Sequence, residues 1–415
     1  MSNKATVPLR PKLRFAEFQG AGDWTKEKLG SFASISTEKV GDKSCVPMSI
    51  TSGVGLVSQE DKFGRVIAGD SYKNYLLLKQ YDFAYNKSVT KEYPEGFLAL
   101  YTGEKLAAVP NSIFTCFRTN GDSSAPQYLN YLFLGNLHGK WLRNFIQVGA
   151  RAHGSLSISD SDLLALPVPL PKGETSLAEQ QKIADCLSSL DELIAAQTRK
   201  VDALKTHKKG LTQQLFPREG KTQPRLRFPE FRGGKAWSIG KLGNIAENLD
   251  NRRVPITSGD RESGAIPYYG ASGVVDYVKD FIFDEDLLCV SEDGANLLAR
   301  TYPIAFPISG KTWVNNHAHV LKFEHACTQK FVEIYLNSIK LDDFITGMAQ
   351  PKLNKAMLDS VPIPCPAVSE QKRIADCVTA LGDLIASELL RLDDLKTHKQ
   401  GLMQQLFPNL NTSES

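Results

Sequence analysis

No apolar run in the 415 residues approaches the roughly 20 needed to span a bilayer. The opening stretch MSNKATVPLRPKLRF also lacks the apolar centre of a secretion signal. A cytoplasmic protein without a membrane segment is the expectation. Seven cysteines (Cys45, Cys116, Cys186, Cys289, Cys327, Cys365 and Cys377) form no Cys-x-x-Cys pair, and their number is odd. That argues against a disulfide framework or a zinc knuckle and for buried free thiols. Charge is nearly balanced at +3, which permits a nucleic-acid partner without announcing one. An apolar share of 42% and a charged share of 23% exclude global disorder. The length exceeds one usual domain, so two globular units with connectors are expected.

Signatures of catalysis are missing too. Gly310-Lys311-Thr312 has the ending of a phosphate loop, but Ala305 stands where its first glycine belongs, and no helix pattern follows. Ser52-Gly53-Val54-Gly55 is too short for a dinucleotide loop. His317 and His319 alternate on an expected strand near His325, yet no Cys, Asp or Glu set joins them at metal-ligand spacing. There is neither an Asn-Pro-Pro-aromatic stretch nor a glycine-rich cofactor loop. The chain reads as non-catalytic, without a cofactor or metal of its own.

What is present is a repeat. Lys205 to Pro217 reads KTHKKGLTQQLFP and Lys396 to Pro408 reads KTHKQGLMQQLFP, matching at 11 of 13 positions with an offset of 191. Glu179-Gln180-Gln181-Lys182-Ile183-Ala184-Asp185-Cys186 returns as Glu370-Gln371-Lys372-Arg373-Ile374-Ala375-Asp376-Cys377 at the same offset. Pro11-Lys12-Leu13-Arg14-Phe15-Ala16-Glu17-Phe18 returns as Pro224-Arg225-Leu226-Arg227-Phe228-Pro229-Glu230-Phe231, and Trp24 as Trp237, at an offset of 213. The offsets differ by 22, so the first middle segment is longer than the second by that amount. Ends are kept; middles differ.

The kept ends carry a helical seam. Ile183, Leu187, Leu190, Ile194, Gln197, Val201, Leu204, Lys208, Leu211 and Leu215 recur at alternating steps of four and three. So do Ile374, Val378, Leu381, Ile385, Glu388, Leu392, Leu395, Lys399, Leu402 and Leu406, with polar residues at the same two steps. Ser176 with Glu179 suggests a capping box, Ser369 suggests the second cap, and Pro217 and Pro408 end the helices. A helix from Leu177 to Leu215 would be about 58 Å long. Duplicated helices usually pair about a two-fold axis, which makes them antiparallel. Gln197 and Glu388 should then meet mid-helix, with Lys208 and Lys399 towards opposite ends.

Both middles read as mixed α/β. In the first, Tyr75 to Leu78 and Gly96 to Leu100 are strand-like and Tyr128 to Phe145 helix-like; in the second, Phe281 to Val290 and His319 to Phe323 are strand-like and Gln329 to Leu341 helix-like. Each middle closes on a proline-rich phrase, Leu166-Pro167-Val168-Pro169 or Val361-Pro362-Ile363-Pro364. Near glycine turns lie polar and aromatic groups suited to phosphates and base edges. In the first middle they are Thr51, Ser52, Lys62, Arg65, Tyr72, Lys73, Asn86, Lys87, Arg151 and His153. In the second they are Tyr268, Tyr269, Ser272, Lys311, Trp313, Asn315, Asn316, His317, Gln350 and Lys352.

Two diverged modules on duplicated seam helices, with the phrases above, resemble the specificity subunit of type I restriction-modification systems over nearly the whole chain. Ile50-Thr51-Ser52-Gly53-Val54-Gly55, Gly149-Ala150-Arg151, Ile266-Pro267-Tyr268-Tyr269-Gly270 and Trp313-Val314-Asn315-Asn316-His317 also look like recognition-domain phrases. The resemblance implies two globular α/β target recognition domains separated by long helices in an antiparallel coiled coil, with pseudo-two-fold symmetry. The expected boundaries are 1–173 for the first domain with its arm, 174–217 for the first helix, 218–367 for the linker and second domain, 368–408 for the second helix and 409–415 for a tail. Each domain would read half of a bipartite target in double-stranded DNA. The helices would set the spacing and dock two methyltransferase subunits, which carry S-adenosylmethionine, and restriction/translocase subunits would complete the complex. The competing readings are a coiled-coil adaptor with two unrelated binding domains and an enzyme that methylates or cuts DNA itself.

Overall fold

The protein's structure, a computed structural model, describes residues 9–51, 54–90, 93–121, 123–146, 156–347 and 349–410. It divides into two compact units, Met1–Ala196 with Leu392–Ser415, and Gln197–Arg391.

In the first unit the strands are β1 (Thr25–Lys28), β2 (Ala33–Ser36), β3 (Val46–Thr51), β4 (Gly55–Ser58), β5 (Leu76–Leu78), β6 (Phe83–Asn86), β7 (Phe97–Leu100), β8 (Ala107–Val109), β9 (Phe114–Thr119) and β10 (Pro167–Leu170). Its helices are α1 (Gln59–Phe63), α2 (Pro126–Leu134), α3 (Leu137–Leu142), α4 (Asp160–Leu164) and the long α5 (Ser176–Leu215), which continues into the second unit. The sheet orders are β2-β9-β6-β7, β4-β3-β8-β5 and β1-β10. All pairings are antiparallel except β3 with β8.

The second unit repeats this plan. Its strands are β11 (Ser238–Lys241), β12 (Glu247–Asn248), β13 (Ser263–Gly270), β14 (Gly273–Val278), β15 (Phe283–Asp284), β16 (Leu287–Ser291), β17 (Ala305–Ile308), β18 (Lys311–Val314), β19 (Ala318–Lys322) and β20 (Pro362–Cys365). The helices are α6 (Asn296–Ala299), α7 (Ala326–Ser338), α8 (Lys355–Ser360) and the long α9 (Val368–Leu406), whose end lies in the first unit. The orders β12-β19-β16-β17, β14-β13-β18-β15 and β11-β20 match those of the first unit strand for strand, down to the single parallel pair, β13 with β18. The middles that share no wording share a topology. Their largest length difference lies between β4 and β5, where 17 residues carry α1 and a short 3-10 turn, against four residues between β14 and β15.

The duplicated phrases now have physical causes. In each unit a tryptophan and a helix aromatic meet the phenylalanine of the QQLFP phrase. Trp24 lies 6.1 Å from Tyr128, which lies 5.5 Å from Phe407; Trp237 lies 6.2 Å from Phe331, which lies 5.0 Å from Phe216. Burying such rings accounts for much of each main core. The buried Glu179 is held by Nε and Nη2 of Arg14 at 2.7 Å each, and Glu370 by the same nitrogens of Arg227 at the same distance. The neighbouring glutamine ties the long helix to its module: Gln180 accepts from the Ala125 N–H at 2.9 Å, and Gln371 from the Thr328 hydroxyl at 2.7 Å. The expected capping box is therefore not formed. The Ser176 hydroxyl donates to the Pro171 carbonyl at 2.6 Å, and Glu179 is drawn to a charge 165 residues away in sequence. Ser369 lies inside the first turn of α9, not before it.

Within each unit the long helices run antiparallel. In the first, Asp191 bonds Lys399 at 2.5 Å, while the earlier Ile183 shares a core with the later Leu406. In the second, the Gln197 amide donates to the Glu388 carboxylate at 2.6 Å and Lys200 adds 2.6 Å, while Leu215 shares a core with Ile374. All twenty seam positions are buried or half-buried. The remaining polar layer differs between units. Lys399 has Asp191 and lies 5.1 Å from the Tyr131 ring centre, whereas the Lys208 ammonium lies 2.9 Å from where a Cβ on Gly382 would sit. Gln197 and Lys200 hold the Glu388 carboxyl below its ordinary 4.5. As pH falls below 4.5 the unfolded chain takes up that proton first, so the contribution present above 4.5 is lost on further acidification. Urea midpoints recorded from pH 6 to pH 3 should show a shallower acid limb in Glu388→Gln than in the parent.

Other expectations shift in detail. The helix expected over 128–145 is two, α2 and α3, broken at Gly135-Asn136, where Asn136 has φ +60°. The strand expected over 281–290 is likewise two short ones, β15 and β16. All seven cysteines are free; Cys116 and Cys289 are buried, and burial pushes the Cys116 thiol up to about 12. No helix among the described residues is long and apolar enough to cross a membrane.

Candidate nucleic-acid interface

The second module gathers four loops at one rim. The β13–β14 turn is tied to the end of β16 where the Ser291 hydroxyl donates to the Ala271 carbonyl at 2.5 Å. That end is tied to the turn before β19 by Glu292 N–H to His317 O at 2.9 Å, and to the loop before α8 by Gly294 N–H to Pro351 O at 3.1 Å and Leu353 N–H to Glu292 O at 2.7 Å. Ser272, Asn316, His317, Gln350 and Lys352 are all exposed on these four loops. Asn315 belongs to the same rim but is buried, where its carbonyl oxygen accepts the His317 N–H at 2.8 Å.

Beneath the rim is a closed ion network. His319 faces Asp250 at 2.6 Å through Nδ1 and the Leu353 carbonyl at 2.7 Å through Nε2. Arg253 donates to Glu292 at 2.6 Å and lies 3.3 Å from Asp250; Lys352 lies 3.2 Å from Glu292. Burial opposes ionisation of Asp250, but His319, the Val320 N–H and Arg253 outweigh it and hold the carboxyl below its usual range. Ligand atoms of Asp250, Glu292 and His319 lie within 4.8 Å of one another. Arg253 and Lys352 already supply the positive charge a metal ion would bring, and both His319 nitrogens are engaged, so the set fits a structural network and not a metal centre. It fixes the loop that carries Gln350 and Lys352.

Other candidates of this module are taken up by the fold. Tyr268 is buried, its hydroxyl bonded to the Ile256 N–H and carbonyl, with Arg261 4.4 Å above its ring. Tyr269 stacks on Phe306 at 6.1 Å, and the Trp313 indole donates to the Val254 carbonyl at 2.6 Å. Lys311 begins β18 away from the rim, over Phe281. Gly310, at φ +66°, turns the chain from β17 into β18, which belong to different sheets, so the Gly-Lys-Thr stretch is a turn between strands.

The first module has the corresponding loops. The Lys87 N–H donates to the Ile113 carbonyl at 2.8 Å, as Glu292 does to His317, and the Leu156 N–H donates to the Lys87 carbonyl at 2.8 Å, as Leu353 does to Glu292. Thr51 closes β3 at the corresponding turn. Asn86 is buried at the end of β6, accepting from the Ser88 N–H at 2.9 Å. Ser52, Arg151 and His153 lie outside the described residues. Lys62 donates to the Ile50 carbonyl beside the exposed Arg65; Lys73 bonds Asp42 at 2.7 Å; the Tyr72 hydroxyl closes on the Cys45 backbone. These four sit on the β4–β5 insertion, which the second module lacks. Sequence reasoning missed Asp293, Glu292 and Arg253, whose places follow only from strand pairing.

A family model for the type I restriction modification DNA specificity domain matches residues 234–396. Over those residues the chain is similar to that specificity domain. The same topology in the first unit extends the specificity-domain fold to the half that the family model leaves unmatched. Among curated relatives, a putative type I restriction enzyme specificity subunit from Haemophilus influenzae is 37% identical over 143 residues, 34% of this chain and 37% of that protein. The putative MjaX specificity subunit from Methanocaldococcus jannaschii is 24% identical over 407 residues, covering 92% of this chain and 87% of that one. Among solved structures, the S subunit of a type I restriction-modification system from M. genitalium superposes with a TM-score of 0.60 at 15% identity, covering 97% of this chain and all of that one. The resemblance drawn from the duplicated phrases holds, and so does the fold class.

Proposed function

We propose that the chain is the non-catalytic DNA-recognition subunit of a type I restriction-modification complex. The two domains, within 1–173 and 218–367, each read one half of a bipartite target in double-stranded DNA. The helices at 174–217 and 368–408 set the gap and dock two methyltransferase subunits, which supply S-adenosylmethionine and adenine chemistry; restriction/translocase subunits complete the assembly. The carrying observation is that two modules keep the same backbone hydrogen bonds at their rims while the side chains displayed there differ. A common scaffold with changed display is what two readers of different half-sites need. Readers on one stiff support gain affinity through effective concentration, and a net charge of only +3 is adequate where partner subunits share the neutralisation of phosphates. The rim side chains are of the types that pair with phosphates and base edges.

Co-expression of this chain with its methyltransferase partner in a host free of methylation, followed by methylome sequencing, tests the reading. One split motif with a constant gap is expected. Methylation without sequence preference, at a single uninterrupted motif, or from this chain alone would overturn it, the first favouring an adaptor and the last an enzyme.

A further inference from the structure

Most exposed histidines are mobile, but His317 is fastened at three points. Its N–H is held by Asn315 Oδ1 at 2.8 Å, its carbonyl accepts from the Glu292 N–H at 2.9 Å, and its ring Nδ1 lies 2.7 Å from Asp293 Oδ2. The side chain is nevertheless 52% exposed. A surface pair of this kind adds little stability, so what it supplies is a fixed direction. The matching backbone bond in the first module, Lys87 to Ile113, puts Ile113 where His317 stands and Ser88 where Asp293 stands. The scaffold is shared and the polar pair is not.

Resting on the recognition function above, we infer that His317, oriented by Asp293, reads one base edge in the half-site of the second module. A carboxylate at Nδ1 makes that nitrogen the donor, so the neutral ring turns the lone pair of Nε2 outwards. An outward acceptor pairs with an exocyclic amine, adenine N6 or cytosine N4, in the major groove. Asp293 is a positioning residue: it sets which nitrogen carries the hydrogen. Ser272, Asn316, Gln350 and Lys352 are exposed on the same rim loops and supply further contacts.

The test uses the chain assembled with its methyltransferase partner, reading both methylome motifs and binding to duplexes that carry each base at each target position. His317→Phe should reduce discrimination at one position of one half-site by about tenfold, the worth of one hydrogen bond, and leave the other half-site unchanged. In Asp293→Asn the amide can donate to Nδ1 and move the hydrogen to Nε2, so preference at that same position should shift towards guanine or thymine, whose major-groove edges accept. Unchanged discrimination in both variants overturns the inference. So does loss at several positions, or loss of methylation altogether, because either marks a scaffold role. Failure of the unmodified complex to select any sequence would instead sink the recognition function itself.

Discussion

Arg14→Ala should destabilise the first unit by about 3–5 kcal/mol, the cost of leaving a buried carboxylate without its partner. The Glu179 side chain is 1% exposed and Arg14 supplies both of its hydrogen bonds. Arg14 also donates to the Ala21 and Gly22 carbonyls, so the same change frees the arm that folds over the start of α5. Arg227→Ala should cost less, because the Trp237 indole still donates to Glu370 at 3.2 Å, whereas the buried Trp24 indole has no such partner. Hydrogen exchange at β1 and β10, with the melting temperature, measures the first; β11 and β20 report the second. The double replacement Arg14→Met with Glu179→Leu should recover most of the loss, since it removes both charges together. Equal losses from the two arginine variants would contradict the assigned geometry.

Acidification from pH 6.5 to pH 4 should weaken the first unit by about 3 kcal/mol through His138 alone. Its ring is fully buried between Tyr85 and Phe133, with Nε2 3.3 Å from the Gly96 carbonyl and Nδ1 unpartnered. Burial holds it down to about 4, against 6.5 when free. Between those values the unfolded chain binds a proton that the folded chain refuses, so stability is full above 6.5 and declines as pH falls. His138→Gln keeps an N–H donor near Gly96 but cannot titrate. Its stability should be lower at pH 7.5 and should lose this slope, as read from exchange of β6 and β7 amides. Parallel pH profiles for parent and variant would show that His138 is not the source.

The seam was legible in the sequence because burial on one helix face imposes a 3.6-residue period, and Gln197 and Glu388 were placed together by occupying the same step in two copies. Helix starts were less legible. Ser176 and Glu179 have the spacing of a capping box, but the fold gives Glu179 a stronger partner in Arg14, which no local rule anticipates. The strand-for-strand identity of the modules was hidden because backbone hydrogen bonds fix topology while side chains vary freely. At the rim, composition nominated Asn315 and Tyr268 together with Asn316 and His317. Residues of the same types serve as internal braces and as display groups, and only burial separates them.

The glycine at 382 has a consequence beyond packing. Where the first unit closes its lysine layer with Asp191 and Tyr131, the second leaves Lys208 against bare backbone. One missing carboxylate makes the two lysine layers of a duplicated frame chemically unequal, so the two ends of the helical pair are not interchangeable despite their matching sequence.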